Sequence, residues 1–279
     1  MPATELAKKT IFRLKEQPSV PLETEILSPD VIASRSHNEV SALPVFLGKR
    51  QYRLDEFFEI EGDGAEDLEI HGDAGRVKWI GRGMTRGSIT IHGNAGMHLG
   101  AYMKGGAIRV DGNSSDWVGA EMAGGIIRIA GNAGGQIGAA YRGSLKGMRG
   151  GAILIEGSAG IEIGMRMRRG LIAIKGPVRD FAGLQMKGGT IVLLGGAEIR
   201  TGAWMVRGTI ISLKPLRLLP TFTRACAYNP TFVRIYAKHL QQLGFSMPVD
   251  PQGGSYERYT GDTSVPGKGE ILVWQPVAS

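Results

Sequence analysis

One phrase is spelled seven times between Leu68 and Gly208, and nothing else in the sequence constrains the fold as tightly. It runs aliphatic-x-aliphatic-x-Gly, then usually Asn or Asp with Ala-Gly, then an aliphatic residue and Gly, then Met three places on and a closing Gly. Its first glycine falls at Gly72, Gly93, Gly112, Gly131, Gly157, Gly176 and Gly195, a period of 19 with two residues added before Gly81 and seven between Gly138 and Gly151. A fixed period near 20 residues requires one structural unit per repeat, stacked so that each neighbour buries what a single repeat leaves open. Leucine-rich repeats share this length but need a Leu-rich helical segment, which these repeats lack. Each repeat offers instead a short alternating strand, such as Ile108-Arg109-Val110-Asp111, closed by glycines suited to tight turns. The expected fold is mostly β, a right-handed β-helix (solenoid) of about seven 19-residue coils set roughly 4.8 Å apart.

The register names the core. Leu68, Ile89, Ile108, Ile127, Ile153, Ile172 and Ile191 form one inward ladder, and Ile70, Ile91, Val110, Ile129, Ile155, Ile174 and Leu193 a second. Met84, Met103, Met122, Met167, Met186 and Met205 share a further register, with Tyr141 expected in that slot where the insertion falls; a flexible thioether suits a solenoid corner. Outward columns carry the functional information. His71, His92 and Asp111 stack at strand spacing, near enough in principle for a metal, but are read as a solvated polar ladder, so no metal site is expected. The column Glu69, Thr90, Arg109, Arg128, Leu154, Ala173, Val192 turns apolar in its last three coils. With Leu194 that surface must be covered, by the C-terminal segment or by another subunit. A third column is basic: Arg86, Lys104, Arg142, Arg168, Arg169, Lys187 and Arg207, with Lys146 and Arg149 added by the insertion. Cations stacked at coil spacing repel one another, and an elongated anion or an acidic partner surface relieves that cost.

The flanks differ in texture. Residues 1–60 read as an N-terminal α/β cap: a strand at Ile11–Lys15, Ser28-Pro29-Asp30 as a helix start, and Ser36 with Glu39 as a capping box. Phe58–Gly62 reads as a degenerate first coil. Residues 61–214 form the β-helix, closed by a strand at Thr209–Leu213. Residues 215–279 form an extension whose helix, capped by Asn229-Pro230, presents Phe232, Ile235 and Tyr236 as a docking face and stops at Gly244. Leu154, Val192 and Leu194 join that helix as expected partner-docking residues, and two strands, Tyr256–Tyr259 and Glu270–Trp274, follow it around a Gly-rich turn.

The chemistry of an enzyme is missing. Gly81-Arg82-Gly83 lacks the GxGxxG spacing, no P-loop occurs, and Cys226 is the sole cysteine. The five histidines His37, His71, His92, His98 and His239 show no ligand spacing. Hexapeptide acyltransferases keep a six-residue beat, and polysaccharide lyases carry acidic calcium clusters; neither matches. Lys and Arg exceed Asp and Glu by 33 to 26, a net +7 that favours an anionic partner, yet no nucleic-acid recognition motif is present. No secretory or membrane-spanning run appears, so the expected location is cytoplasmic. No catalytic residue is assigned.

Coils of Gly-[Asn/Asp]-Ala-Gly…Gly-x-x-Met-x-x-Gly resemble the GXGXG family, which includes the C-terminal domain of the glutamate synthase large subunit and the C subunit of formylmethanofuran dehydrogenase. The Phe12-Arg13-Leu14-Lys15 opening, Phe57-Phe58, and the ending Tyr259-Thr260-Gly261-Asp262 with Gly267-Lys268-Gly269-Glu270-Ile271-Leu272 are similar to that dehydrogenase polypeptide along nearly the whole chain. The segment Leu218–Leu243 is more similar to its homologue in the bacterial formyltransferase/hydrolase complex than to the version found in the molybdenum or tungsten dehydrogenase. The resemblance implies a scaffold that binds no cofactor alone, within a complex that passes formyl groups from tetrahydromethanopterin to methanofuran or methylofuran and hydrolyses them to formate. It also implies an anion, the polyglutamate tail of the coenzyme, for which Arg142, Lys146, Arg149, Arg166, Arg168, Arg169 and Lys187 are the candidate contacts. The other classes are an independent enzyme, which would be active without partners, and a free-standing binding module, which would be a stable monomer.

Overall fold

The computed structural model describes residues 8–248 and 253–276. The cap comprises β1 (Lys9–Leu14), β2 (Leu22–Glu23), α1 (Pro29–Ile32), α2 (His37–Ser41), β3 (Pro44–Leu47), β4 (Arg50–Arg53) and β5 (Phe58–Glu61). The coils supply β6 (Asp67–His71), a short side strand β7 (Val77–Lys78), then β8 (Ser88–His92), β9 (Ala107–Val110), β10 (Ile126–Ile129), β11 (Arg149–Ile155), β12 (Arg169–Ile174), β13 (Lys187–Leu193) and β14 (Arg207–Ser212). The extension adds β15 (Thr223–Tyr228), α3 (Val233–Gln242), β16 (Gly254–Gly261) and β17 (Gly269–Pro276).

One 13-stranded sheet runs the length of the column. Its strands pair in parallel from β1 through β6 and β8 to β14 and on to β17, each coil in the register set by the alternating isoleucines. Both inward ladders are buried, and the cap and the extension lengthen them. Thr10 and Phe12 sit beside Leu68 and Ile70, and Ile271 and Val273 beside Ile210 and Ser212. The strand at Thr209 therefore does not close the column; β17 does, backed by antiparallel β16 and β15. At the other end Phe58–Glu61 is not a degenerate coil. It runs antiparallel to β1, with Phe58 edge-on to Phe12 at 6.2 Å, and so ends the parallel pairing. A parallel sheet must be covered at both ends, and a reversed strand does this.

Two side-chain devices lock one coil to the next. The Asn of the repeat is a backbone acceptor: Asn94 Oδ1 takes the Asn113 N–H at 2.9 Å, Asn113 Oδ1 takes that of Asn132 at 2.8 Å, and Asn132 Oδ1 that of Ser158 at 2.8 Å. The Met of the repeat is a knob whose Cε sits over the third glycine of the next coil, Met84 over Gly106, Met103 over Gly125 and Met122 over Gly151. This series continues with Met148 over Gly170, so Met148 and not Tyr141 fills the slot in the coil with the insertion. The seven added residues precede the knob and shift it by their own number, leaving Tyr141 outside the core.

In the cap, Pro29 stands at the first helical turn, but the Ser28 side chain makes no capping bond. The Asp30 carboxylate instead accepts the Thr85 N–H at 2.7 Å and ties α1 to the column. The Ser36/Glu39 capping box is formed. Helix α3 begins after Phe232 rather than at Pro230, and the Asn229 amide reaches across to donate to the Gly254 carbonyl at 3.2 Å. Its apolar side, with Phe245, Tyr256 and Leu272, builds a second core over Leu154, Ala173, Val192 and Leu194. The apolar outer surface is thus covered by the chain itself.

The glycine beneath each knob gives a direct test. A Cβ on Gly125, whose φ is +86°, would lie 2.6 Å from Met103 Cε and 2.8 Å from the Gly106 carbonyl oxygen; one on Gly83, at φ +67°, meets nothing within 4 Å. Left-handed strain alone costs about 1 kcal/mol, and overpacking adds roughly 1–3 kcal/mol. Denaturant melts of Gly125→Ala and Gly83→Ala should therefore differ by about 1–3 kcal/mol; equal losses would mean that the methionine seat carries no packing.

Candidate functional site

Each coil turns around its second glycine with left-handed backbone two residues before it and, except after Gly138, two residues after it. Two residues before it stand Trp79, His98, Trp117, Gln136, Glu162, Phe181 and Arg200, with φ between +55° and +67°. Two residues after it stand Tyr102, Glu121, Arg166, Gln185 and Trp204, with φ between +52° and +60°. Such backbone is costly for residues other than glycine, and it is held here because every coil repeats the same corner. Two outward ladders result, which stack from coil to coil as the strands do.

In the first coils the ladders are aromatic. Trp79 lies on His98 at 4.1 Å and 11°, and Tyr141, expelled from the core by the insertion, lies on Trp117 at 4.9 Å and 20°. Tyr102 meets Tyr141 at 5.5 Å, and the Arg82 guanidinium sits 5.3 Å from the Trp79 ring and 5.6 Å from that of Tyr102. Burial, helped by the Lys78 charge, lowers His98 to about 4, so its ring is neutral at pH 7. Burial also raises the Tyr141 phenol, which keeps its proton and shares a hydrogen bond with His98 Nδ1 at 2.8 Å.

In the later coils the corner becomes basic and open. The insertion, residues 141–147, folds over it, and the Arg166 and Arg168 guanidiniums hold it by donating to the Ser144 and Leu145 carbonyls. Arg166 Nε also donates to Gln185 at 2.7 Å, while Arg168 Nε is buried without a hydrogen-bond partner among the described residues. Beside this clamp a groove of 400 Å³ is lined by Leu145, Arg166, Gln185, Lys187, Trp204, Val206 and Val265. Leu145 is 61% and Trp204 49% exposed, large apolar groups held out to solvent beside cations. The arrangement suits an amphipathic guest with negative charge.

The candidate cations thus divide into three groups. Arg166 and Arg168 are engaged in holding the loop. Arg142 and Lys146 stand exposed on the loop, where the displacement that moved the knob also takes Arg142 out of the column, and Arg149 fills its place. Arg149 pairs across the sheet with Arg169, and Lys187 with Arg207, like charges side by side. Among the described residues, Arg142, Lys146, Arg149, Arg169 and Lys187 form no ion pair, whereas Arg86 at the other end of the column is neutralised by Glu66 at 3.1 Å.

The expected docking residues divide as well. Leu154, Val192 and Leu194 are buried under the chain's own extension and are not open to another subunit. Phe232 and Tyr236 are partly buried against the same core, Tyr236 accepting the Thr190 hydroxyl at 2.8 Å; Ile235 alone of the six is freely exposed, at 70%. Sequence reasoning missed the corner ladders altogether, Trp204, Gln185 and the Trp79–His98–Trp117 stack among them. The signal was present: the columns two places before and after the second glycine are as regular as those that were read.

Residues 68–222 match the family described as GXGXG motif. The C subunit of molybdenum-containing formylmethanofuran dehydrogenase 1 from Methanosarcina barkeri is 44% identical over 90 residues, 30% of this chain and 30% of that relative. The corresponding polypeptide of the tungsten-containing formylmethanofuran dehydrogenase 2 from Methanothermobacter marburgensis is 41% identical over 96 residues, 33% of this chain and 36% of the relative. These matches span about a third of the curated relatives' own length. A chain in the crystal structure of the formyltransferase/hydrolase complex from Methylorubrum extorquens, determined with methylofuran, is 33% identical with TM-score 0.88, over 96% of this chain and all of that one (100%). Among the described residues no helix is long and apolar enough to cross a membrane.

The neutral His98 sets a pH dependence. Its folded value of about 4 lies below the ordinary 6.5, so the unfolded chain takes up the proton first. Its contribution is present above pH 6.5 and lost as pH falls towards 4. His98→Phe keeps a ring on Trp79 without the titration, so its Tm should fall less than wild type between those pH values; parallel curves would place the proton uptake elsewhere.

Proposed function

From a chain that belongs to the GXGXG family, we propose that this protein is the β-helical scaffold subunit of a cytoplasmic formyltransferase/hydrolase complex that moves formyl groups onto a methylofuran-type coenzyme and releases formate. The observation that carries this reading is the match to one chain of such a complex over 96% of this chain and 100% of the other. The second reading is the C subunit of a molybdenum or tungsten formylmethanofuran dehydrogenase. It has the higher local identity, 44%, but over only 30% of the chain.

On this reading the reacting groups and the tetrahydromethanopterin and methylofuran sites belong to other subunits, and this one supplies a rigid column and a charged edge. Arg142, Lys146, Arg149, Arg169 and Lys187 face either the polyglutamate tail of the coenzyme or the acidic surface of a neighbour. The absence of ion pairs at these residues among the described residues supports that role, as does the like-charge pairing of Arg149 with Arg169. Arg166 and Arg168 act at one remove, by fixing the loop that carries Arg142 and Lys146. Ile235, with Phe232 and Tyr236 beside it, is the apolar contact offered to a neighbour.

A tagged copy should co-purify with catalytic subunits and, by itself, catalyse neither formyl transfer nor hydrolysis. Activity of the purified chain alone would overturn the scaffold reading, and a stable monomer without partners would favour a free-standing module. Arg149→Glu with Lys187→Glu should lower coenzyme content or complex mass several-fold at low salt and less at high salt, because the lost attraction is screened. Unchanged coenzyme content and mass would remove any role for the basic edge.

A further inference from the structure

The polar face of the first coils carries a second constellation, independent of the corner and of the functional reading. Parallel pairing of β6 with β8 sets His71 directly beside His92, their rings stacked at 4.4 Å. Glu69 lies two residues earlier on the same strand and so on the same face. Its Oε2 is 3.4 Å from His71 Nε2 and 3.6 Å from His92 Nε2, and one donor atom from each of the three residues falls within 4.8 Å of the others. We propose that Glu69, His71 and His92 form a binding site for a divalent transition cation of the zinc type, with a coordination position left open to solvent.

Bond lengths of about 2.0–2.2 Å to nitrogen and oxygen in a tetrahedral zinc site place neighbouring donors roughly 3.4 Å apart. Both Glu–His distances already match that spacing. The surroundings prepare the donors. Asp111, one coil on, sits with Oδ2 2.9 Å from His92 Nδ1, and its other oxygen accepts from Arg109 at 2.8 Å. A carboxylate at Nδ1 holds the proton there and leaves the Nε2 lone pair for a metal, the arrangement found behind metal-ligating histidines. Lys9 binds the far oxygen of Glu69, Oε1, at 2.7 Å, which orients the carboxylate and leaves Oε2 for the cation. Two imidazoles and one carboxylate select zinc or its neighbours over calcium or magnesium, which prefer oxygen.

The test is titration of the full, metal-stripped chain with Zn²⁺, and with Co²⁺ as a spectroscopic probe of nitrogen ligation. One equivalent should bind. His71→Ala and His92→Ala should each weaken binding at least about tenfold, and Asp111→Asn roughly 10–100-fold through the orienting hydrogen bond. Glu69→Gln, which keeps the side chain's shape, should weaken it as well, and an unchanged melting curve without metal will show that each variant is folded. Absence of stoichiometric Zn²⁺ binding by the wild-type chain would overturn the proposal. So would binding that survives in both histidine variants, because the ion would then be held elsewhere.

Discussion

The structure depends on coils that stack in register, and the register is enforced by two features along the whole column and by a third from Asn94 to Ser158. The isoleucine ladders require it, since a slip by one residue would turn the core outward. The asparagines require it by capping the next coil's amide, and the methionines by needing a glycine beneath the knob. These demands fall on different parts of the coil, so no single shift satisfies them all. The same geometry carries the polar surface: any side chain that leaves a given position of the coil stands beside its counterparts above and below. A substitution outside is therefore read as a column, whether of rings at Trp79 and His98 or of cations at Arg149 and Arg169.

This is why so much of the fold was legible. Period and alternation named both inward ladders and the apolar strip under α3, because a parallel stack leaves alternating residues no other choice. What could not be read was whatever breaks the period. The insertion is the clearest case: counting from Gly138 gives Tyr141 the knob, while the chain keeps a methionine there by looping seven residues out, and only the fit of Met148 over Gly170 decides between them. The ends are the second case. Phe58–Glu61 and Gly254–Gly261 read as strands like those of the coils, but they run antiparallel to their neighbours, a direction set by long-range contacts that alternation does not encode. The candidate site was half legible for the same reason. The basic residues were visible as a column, but their division into clamping and free cations depends on where the loop lies.

The insertion also links the two parts of the corner. Its first residue, Tyr141, completes the aromatic stack with Trp117 and Tyr102, and its middle, Ser144 and Leu145, is held by Arg166 and Arg168 at the edge of the groove. A loop anchored at both sides presents Arg142 and Lys146 in a fixed place, which on the proposed reading leaves less ordering to be done on binding. The extension plays the corresponding role on the sheet face. By covering Leu154, Val192 and Leu194 it converts what would be a sticky strip into a stable wall with one exposed isoleucine.

A preformed column of this kind should offer its basic corner to neighbours without rearranging. Amide hydrogen exchange, compared between the purified chain and the assembled complex, is the decisive experiment. The strands from β6 to β14 should exchange slowest in both states, and assembly should add protection at residues 141–149, 166–169 and 185–187. Rapid exchange along those strands in the free chain, or new protection that spares the corner, would contradict it.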